Sequence, residues 1–225
     1  MSFQAETGIL TQVDGSSQIQ SQKTKIFCSV TGPIEPKARQ ELPTQLALEI
    51  IVRPSLGVPN TREKLIEDKL RAVFTPLITR YLYPRQLCQI TLQILSSGES
   101  EQEFTQREVA NSINATLLAL IDAGIALNSM CAAISLAISS DDKLIMDPND
   151  EQLKAAKSVH VLALELVESS TVVKNVLLLD SYGDFNEKQL FDILEQGEIS
   201  LLKLGKEIRS IVESKIINSN LIIQK

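Results

Sequence analysis

Few side chains in this sequence have the chemistry for catalysis, and their spacing narrows the choice. Asp141, Asp142, Asp147, Asp150 and Glu151 cluster along the chain, and grouped carboxylates can hold Mg²⁺. Asp141-Asp142 also reads as a turn and the stretch after Pro148 as a polar linker, so the plainer reading is a turn and a solvated loop. His160 is the only histidine. Beside Glu165 or a cysteine it would make a nucleophile–base set, but Val159 and Val161 flank it, and it reads as a polar residue on one face of a strand. A single histidine excludes a His pair or a His-rich metal site within the chain. Cys28, Cys88 and Cys131 show no CxxC spacing, which argues against a Cys-based zinc site. They are odd in number and lie in apolar segments, so buried free thiols in a reducing compartment are expected. No metal and no cofactor is expected.

Composition sets the frame for these residues. The chain has 225 residues, 44% hydrophobic and 22% charged, the balance of an ordinary globular protein. Its 22 Lys+Arg stand against 28 Asp+Glu, a net charge of −6. That excludes a free-standing, generally basic nucleic-acid binder. Trp is absent and aromatics make up 4%, which disfavours a platform for stacking bases. No apolar run approaches a membrane span, and MSFQAETGIL has no signal-peptide core. A soluble, intracellular protein is expected.

The elements that must position these residues alternate in type. Gly8–Val13 and Ser16–Gln20 flank the turn dipeptide Asp14-Gly15, which predicts a hairpin. Strands are predicted over Lys25–Thr31 and Gln45–Val52. Asn60, with Glu63 three residues on, predicts a capping box for a helix whose apolar face includes Leu65, Ile66, Leu70, Val73, Phe74 and Leu77. Pro76 should kink that helix or move its end. A strand over Leu87–Leu95 leads into Ser96–Gln106, a polar, acidic stretch read as an exposed loop. The helix Glu108–Ile121 should stop at Gly124. Strands follow over Cys131–Ile138, Leu144–Met146, Val159–Leu166 and Val172–Leu179, with Pro148–Lys157 as a polar linker. A long amphipathic helix begins near Asn186; its end, including Leu221–Ile223, stays open between an interface and a simple continuation. The class is α+β or mixed α/β.

Several short signatures occur in order: Glu6-Thr7-Gly8, Asp14-Gly15-Ser16, Val30-Thr31-Gly32-Pro33, Tyr83-Pro84-Arg85, Ile113-Asn114-Ala115, and Ala119-Leu120-Ile121-Asp122-Ala123-Gly124-Ile125. Each is weak alone; the ordered series resembles the RNase PH family from about Glu6 to Ile217. Within the family it looks most like the RNase PH-like ring subunits of the eukaryotic RNA exosome. The resemblance implies one domain over 1–225 with the RNase PH fold, like the second domain of ribosomal protein S5. Its mixed sheets would be packed with helices: N-terminal strands over 6–52, central helices over 61–82 and 106–122, and a C-terminal helix over 186–217. It also implies a hetero-oligomeric ring with other RNase PH-like subunits, RNA-binding cap subunits, an associated nuclease and RNA in the channel. No membrane is implied, and the expected locations are nucleus, nucleolus and cytoplasm.

Active members of the family cleave RNA from the 3′ end with phosphate, which a glycine-rich Thr-Arg turn holds. Here the matching stretch, Gly98–Val109, is acidic and lacks the paired glycines. The family's arginine falls on Val109, and Arg107 is two residues off. The aspartates of active members fall near Leu153 and Ser158. Both halves of the phosphorolytic site therefore look lost, and a non-catalytic ring subunit is expected. The alternative is an active phosphate-dependent or hydrolytic 3′ exoribonuclease. Lys37 and Arg39 lie in a loop that faces the pore in the family, and stay open between phosphate contact and a solvated loop. Arg62 matches one of an arginine pair on the RNA path, its partner position being Thr61, and Arg53 is nearby. Arg85 is expected in a structural ion pair or helix-end contact.

Overall fold

The computed structural model describes residues 3–101 and 103–223, with 218–223 described as backbone. Two sheets enclose a buried helix. The first sheet has the order β1-β2-β3-β5-β4, built from β1 (Phe3–Thr7), β2 (Gly15–Ser21), β3 (Thr24–Ile34), β4 (Ala47–Arg53) and β5 (Leu87–Ser96). Its pairs are antiparallel except β4–β5. The second has the order β7-β6-β8-β9, from β6 (Met130–Ser139), β7 (Leu144–Met146), β8 (Ala156–Val167) and β9 (Val172–Gly183), all antiparallel. The helices are α1 (Thr61–Leu77), α2 (Gln106–Asp122), α3 (Asp150–Lys154) and α4 (Glu187–Ile223).

Helix α2 is the centre. Every residue from Gln106 to Leu120 is buried, the signature of a helix covered on all sides. It packs on β2 and β3 on one side and on β6 and β8 on the other. The resembling signatures serve this packing. A Cβ on Gly15 would lie 2.3 Å from the Ala119 carbonyl oxygen, so only glycine lets β2 approach. Asn114 bridges α2 to β6: its Nδ2 donates to Ala133 O (2.8 Å) and its Oδ1 accepts from Ala133 N–H (2.9 Å). Asp122 accepts the Ser16 N–H at 2.9 Å and Asp14 the Gly32 N–H at 2.8 Å. Gly124, at φ +70°, closes α2: Gly124 N–H donates to Ile121 O (3.1 Å) and Ile125 N–H to Leu120 O (3.1 Å), a Schellman ending.

The predicted strands and helices are largely present, with informative differences. Gly8–Val13 is not a strand; β1 lies earlier, at Phe3–Thr7, and the chain crosses to β2 through a longer loop. Leu10 N–H donates to the Ser16 hydroxyl at 2.9 Å there, so backbone groups find partners without a ladder. Helix α1 has the expected capping box, with Glu63 accepting the Asn60 N–H at 2.6 Å. It stops at Leu77, one residue after Pro76, and a 3-10 turn, Arg80–Leu82, follows. The Pro148–Lys157 linker contains α3, which buries Leu153. Strand β9 runs past Leu179 to Gly183, and α4 continues through Leu221–Ile223. Arg85 makes an exposed ion pair with Glu41 at 3.4 Å. All three cysteines are free and buried.

Candidate functional site

The first turn of α2 is where the resemblance puts an anion. Its amide groups have no partner within the helix and favour negative charge. The N-cap residue, Thr105, makes no side-chain capping bond. Instead Glu99 reaches in from the preceding loop. Its carboxylate accepts the N–H of Arg107 (3.3 Å) and of Glu108 (3.1 Å), and only 8% of the residue is exposed. The exposed acidic loop predicted over Ser96–Gln106 is thus corrected at Ser97, Glu99 and Gln106, which are all buried. Gly98, at φ +69° and against the backbone of Lys23 and Thr24, turns the loop inward. Thr24 pins it by donating to Ser97 O at 2.6 Å.

Electrostatics here are strained by design of the sequence. Burial pushes the Glu99 carboxyl up to about 7, with Glu108 repulsion adding to it, against the two N–H bonds and Arg107. Burial also raises Glu108, although Arg62 opposes it. The Arg62 guanidinium is committed inward. It pairs with Glu108, contacts Glu63 at 3.1 Å and donates to Phe104 O at 3.2 Å. Burial works against its charge, yet these carboxylates outweigh that and hold its pKa up.

Arg107 does not reach toward a ligand either. Its guanidinium donates to Ser21 O (3.1 Å) and Gly98 O (3.4 Å), and lies 3.5 Å from Asp147. Asp147 in turn accepts from Ser21 (3.0 Å) and Gln22 (3.1 Å). This carboxylate, read from the sequence as part of a solvated loop, is buried and ties β2, α2 and the end of β7 together. A cleft of about 380 Å³ lies beside it, lined by Gln22, Lys23, Gly98, Arg107, Asn149 and Asp150.

The positions matched to the family's arginine and aspartates are filled differently. Val109 is fully buried in the main core. Leu153 packs with Ala137 and Val159, and Phe104 of the acidic loop closes on this apolar cluster. The Ser158 hydroxyl is 2.9 Å from His160 Nε2, and His160 Nδ1 is 2.8 Å from the Ser181 hydroxyl. Phe185 sits edge-on to the imidazole at 5.0 Å. His160 is therefore a core residue with both nitrogens satisfied, and burial lowers it to about 4. Two more of the clustered carboxylates are paired off: Asp142 with Lys157 (3.2 Å) and Asp150 with Lys154 (2.8 Å). Among the described residues, no group of three or more His, Cys, Asp or Glu could hold a metal ion. Burial raises the Cys28 and Cys88 thiols to about 12 and Cys131 higher still, so none is a poised nucleophile.

Lys37, Arg39 and Arg53 are exposed, whereas Arg62 keeps 19% of its side chain exposed. Sequence reasoning missed the roles of Glu99, read as part of an exposed acidic loop, and of Asp147, read as one acid of a cluster. No local pattern marks them, because their partners come from the first turn of α2 and from β2.

Comparison with known proteins agrees with this fold. The chain matches the 3' exoribonuclease family (RNase PH), domain 1 over residues 2–126 and domain 2 over residues 129–200, and it belongs to that family. It is 67% identical to the Exosome complex component RRP46 of Saccharomyces cerevisiae, over 96% of this chain and 97% of that protein. It is 30% identical to the Exosome complex component rrp46 of Schizosaccharomyces pombe, over 91% of this chain and 87% of that one. The crystal structure of rice Rrp46 superposes with a TM-score of 0.80 at 22% identity, covering 92% of each chain, a likeness of fold.

Proposed function

We propose that this chain is a non-catalytic ring subunit of the RNA exosome, one domain that completes the ring and supports 3′-to-5′ RNA processing and degradation carried out by another chain. The identity with yeast RRP46 supports membership of the complex. The observation that carries the inert reading is the Glu99 carboxylate on the Arg107 and Glu108 amides. A phosphate at that position would meet a carboxylate already seated on the donors, with Glu108 behind it. A neighbouring position reinforces this, since Leu153, matched to an aspartate of active relatives, offers hydrocarbon, and Phe104 packs on its cluster.

Its partners are other exosome subunits: RNase PH-like neighbours in the ring, RNA-binding caps and an associated nuclease, in nucleus, nucleolus and cytoplasm. Lys37, Arg39 and Arg53 are the candidates for touching RNA in the channel, being exposed. Arg62 would contribute only by releasing Glu108. The test is to incubate the purified chain, alone and within the complex, with 3′-labelled RNA, inorganic phosphate and Mg²⁺. The expected result is no nucleoside diphosphate or nucleoside monophosphate attributable to this chain. Release that disappears when Arg107 is changed, with the fold intact, would establish the alternative, an active exoribonuclease.

A further inference from the structure

The open edge of the first sheet carries a second site, remote from α2's first turn in sequence and built from other residues. Strand β4 is an edge strand. Ala47 N–H donates to Gln86 O at 2.8 Å, so in this parallel pair the backbone N–H and C=O groups of odd-numbered β4 residues point to β5 and those of even-numbered ones point away from it. Exposed edges invite pairing, and proteins usually block them. Two blocks are present here. At one end Leu46 N–H donates to Arg80 O (2.9 Å) and Arg80 Nε donates back to Leu46 O (2.8 Å). At the other end Glu67 of α1 accepts the Val52 N–H at 3.0 Å. Ile50 is covered, at 2% exposure. Leu48, only half-buried, is left with its outward N–H and C=O unpaired among the described residues.

Leu48 opens onto a cleft of about 390 Å³, lined also by Arg71, Thr75, Arg80 and the apolar Leu42 and Leu87. Neither Arg71 nor Arg80 has a carboxylate partner among the described residues. Glu49, on the same cleft, is satisfied by the Gln40 and Gln89 amides at 2.7 and 2.9 Å. Two guanidinium groups against the single Glu49 charge leave the cleft net positive, and beside a free strand N–H they form a receptor for a carboxylate. The apolar lining, and the exposed Tyr81 and Leu82 next to Arg80, favour a peptide over a free anion.

We infer that this cleft docks a short extended segment of a protein partner, its backbone paired to Leu48 and an acidic side chain held by Arg71 and Arg80. This is strand addition with a charged anchor. It does not depend on the proposed place in the ring, because the test uses the isolated full-length chain. The amide and arginine Nε resonances are followed by NMR while the capped peptide TVDVT, its neutral counterpart TVNVT, or inorganic phosphate is added to millimolar concentration. The expected result is that TVDVT moves the Leu48 amide and Arg80 Nε signals. TVNVT, or TVDVT with Arg71→Gln, should bind about fivefold more weakly, the size of one screened ion pair. Leu48→Pro removes the outward N–H, at the cost of some of the Leu48 packing on the core, and takes no donor from the β5 ladder, so it should abolish the response. If that variant does not fold, the exposed Arg71→Gln decides. Equal binding of the two peptides, shifts confined to other surfaces, or the same Leu48 and Arg80 shifts with phosphate alone would each overturn the proposal.

Discussion

Replacing Glu99 by glutamine tests the electrostatic reading of the α2 site directly. Two effects oppose each other at this carboxylate. The α2 amides and the helix dipole favour its charge, while burial and Glu108 disfavour it. The second pair wins: the carboxyl titrates at about 7 in the folded chain against 4.5 for the ordinary group. An acid with a raised folded pKa holds its proton more tightly in the native state. Its stabilising contribution is then complete below pH 4.5 and is lost as pH rises through about 7. At about 1.4 kcal/mol per pKa unit, that loss is about 3 kcal/mol. Glu99→Gln keeps the shape and one N–H acceptor and cannot ionise.

The stability of the unmodified chain alone will not reveal this, because His160 acts in the opposite direction. Its folded pKa lies at about 4 against 6.5, so its contribution is lost as pH falls from 6.5 through 4. Over pH 4.5–6.5 the two groups nearly cancel. The difference between Glu99→Gln and the parent isolates Glu99. Urea unfolding at pH 4.5, 6, 7 and 8 should show that difference moving by about 3 kcal/mol in favour of glutamine as pH rises. A difference that is flat, or that moves in favour of glutamate, would mean that the two N–H bonds outweigh burial and would refute the argument.

Other consequences are equally open to measurement. The His160 ring should titrate by NMR with a midpoint near 4; a midpoint above 6 would contradict its buried, doubly bonded placement. Arg107→Met should cost about 3–5 kcal/mol by stranding Asp147, and adding Asp147→Asn should recover part of that loss; a loss under ~1 kcal/mol would show the ion pair to be idle. Asn114→Ala should cost about 2–4 kcal/mol, because the Ala133 N–H and C=O both lose their partner. The thiols at Cys28, Cys88 and Cys131 should resist alkylation in the native chain at pH 8 and react fully in urea, as buried groups do.

What the sequence made legible was whatever acts over short distance. The Asn60–Glu63 cap, the Pro76 stop and the Gly124 ending are each set within a few residues, and each appears where its local chemistry puts it. Glu99 was illegible for the opposite reason. Its partner amides lie eight and nine residues away, and its burial depends on the β2–β3 hairpin that Gly98 packs against. The same holds for Asp147, which looks like one more acid of a polar linker until Ser21, Gln22 and Arg107 surround it. Leu153, named from the sequence only as a position where the family has an aspartate, turns out to pack with Ala137 and Val159 under Phe104.

From the sequence, acid in the stretch before α2 means repulsion of phosphate from a vacant pocket. In the fold, that acid is the occupant. A repelled ligand can be recovered by adding counter-charge nearby, whereas a seated carboxylate must first be displaced from two amides. Substitutions that merely add positive charge around the cleft should therefore not confer phosphate binding at the α2 amides. Restoring an anion site would need Glu99 removed together with the Phe104–Leu153 contact. The net charge of −6 thus records, in part, an anion site that the chain satisfies from within.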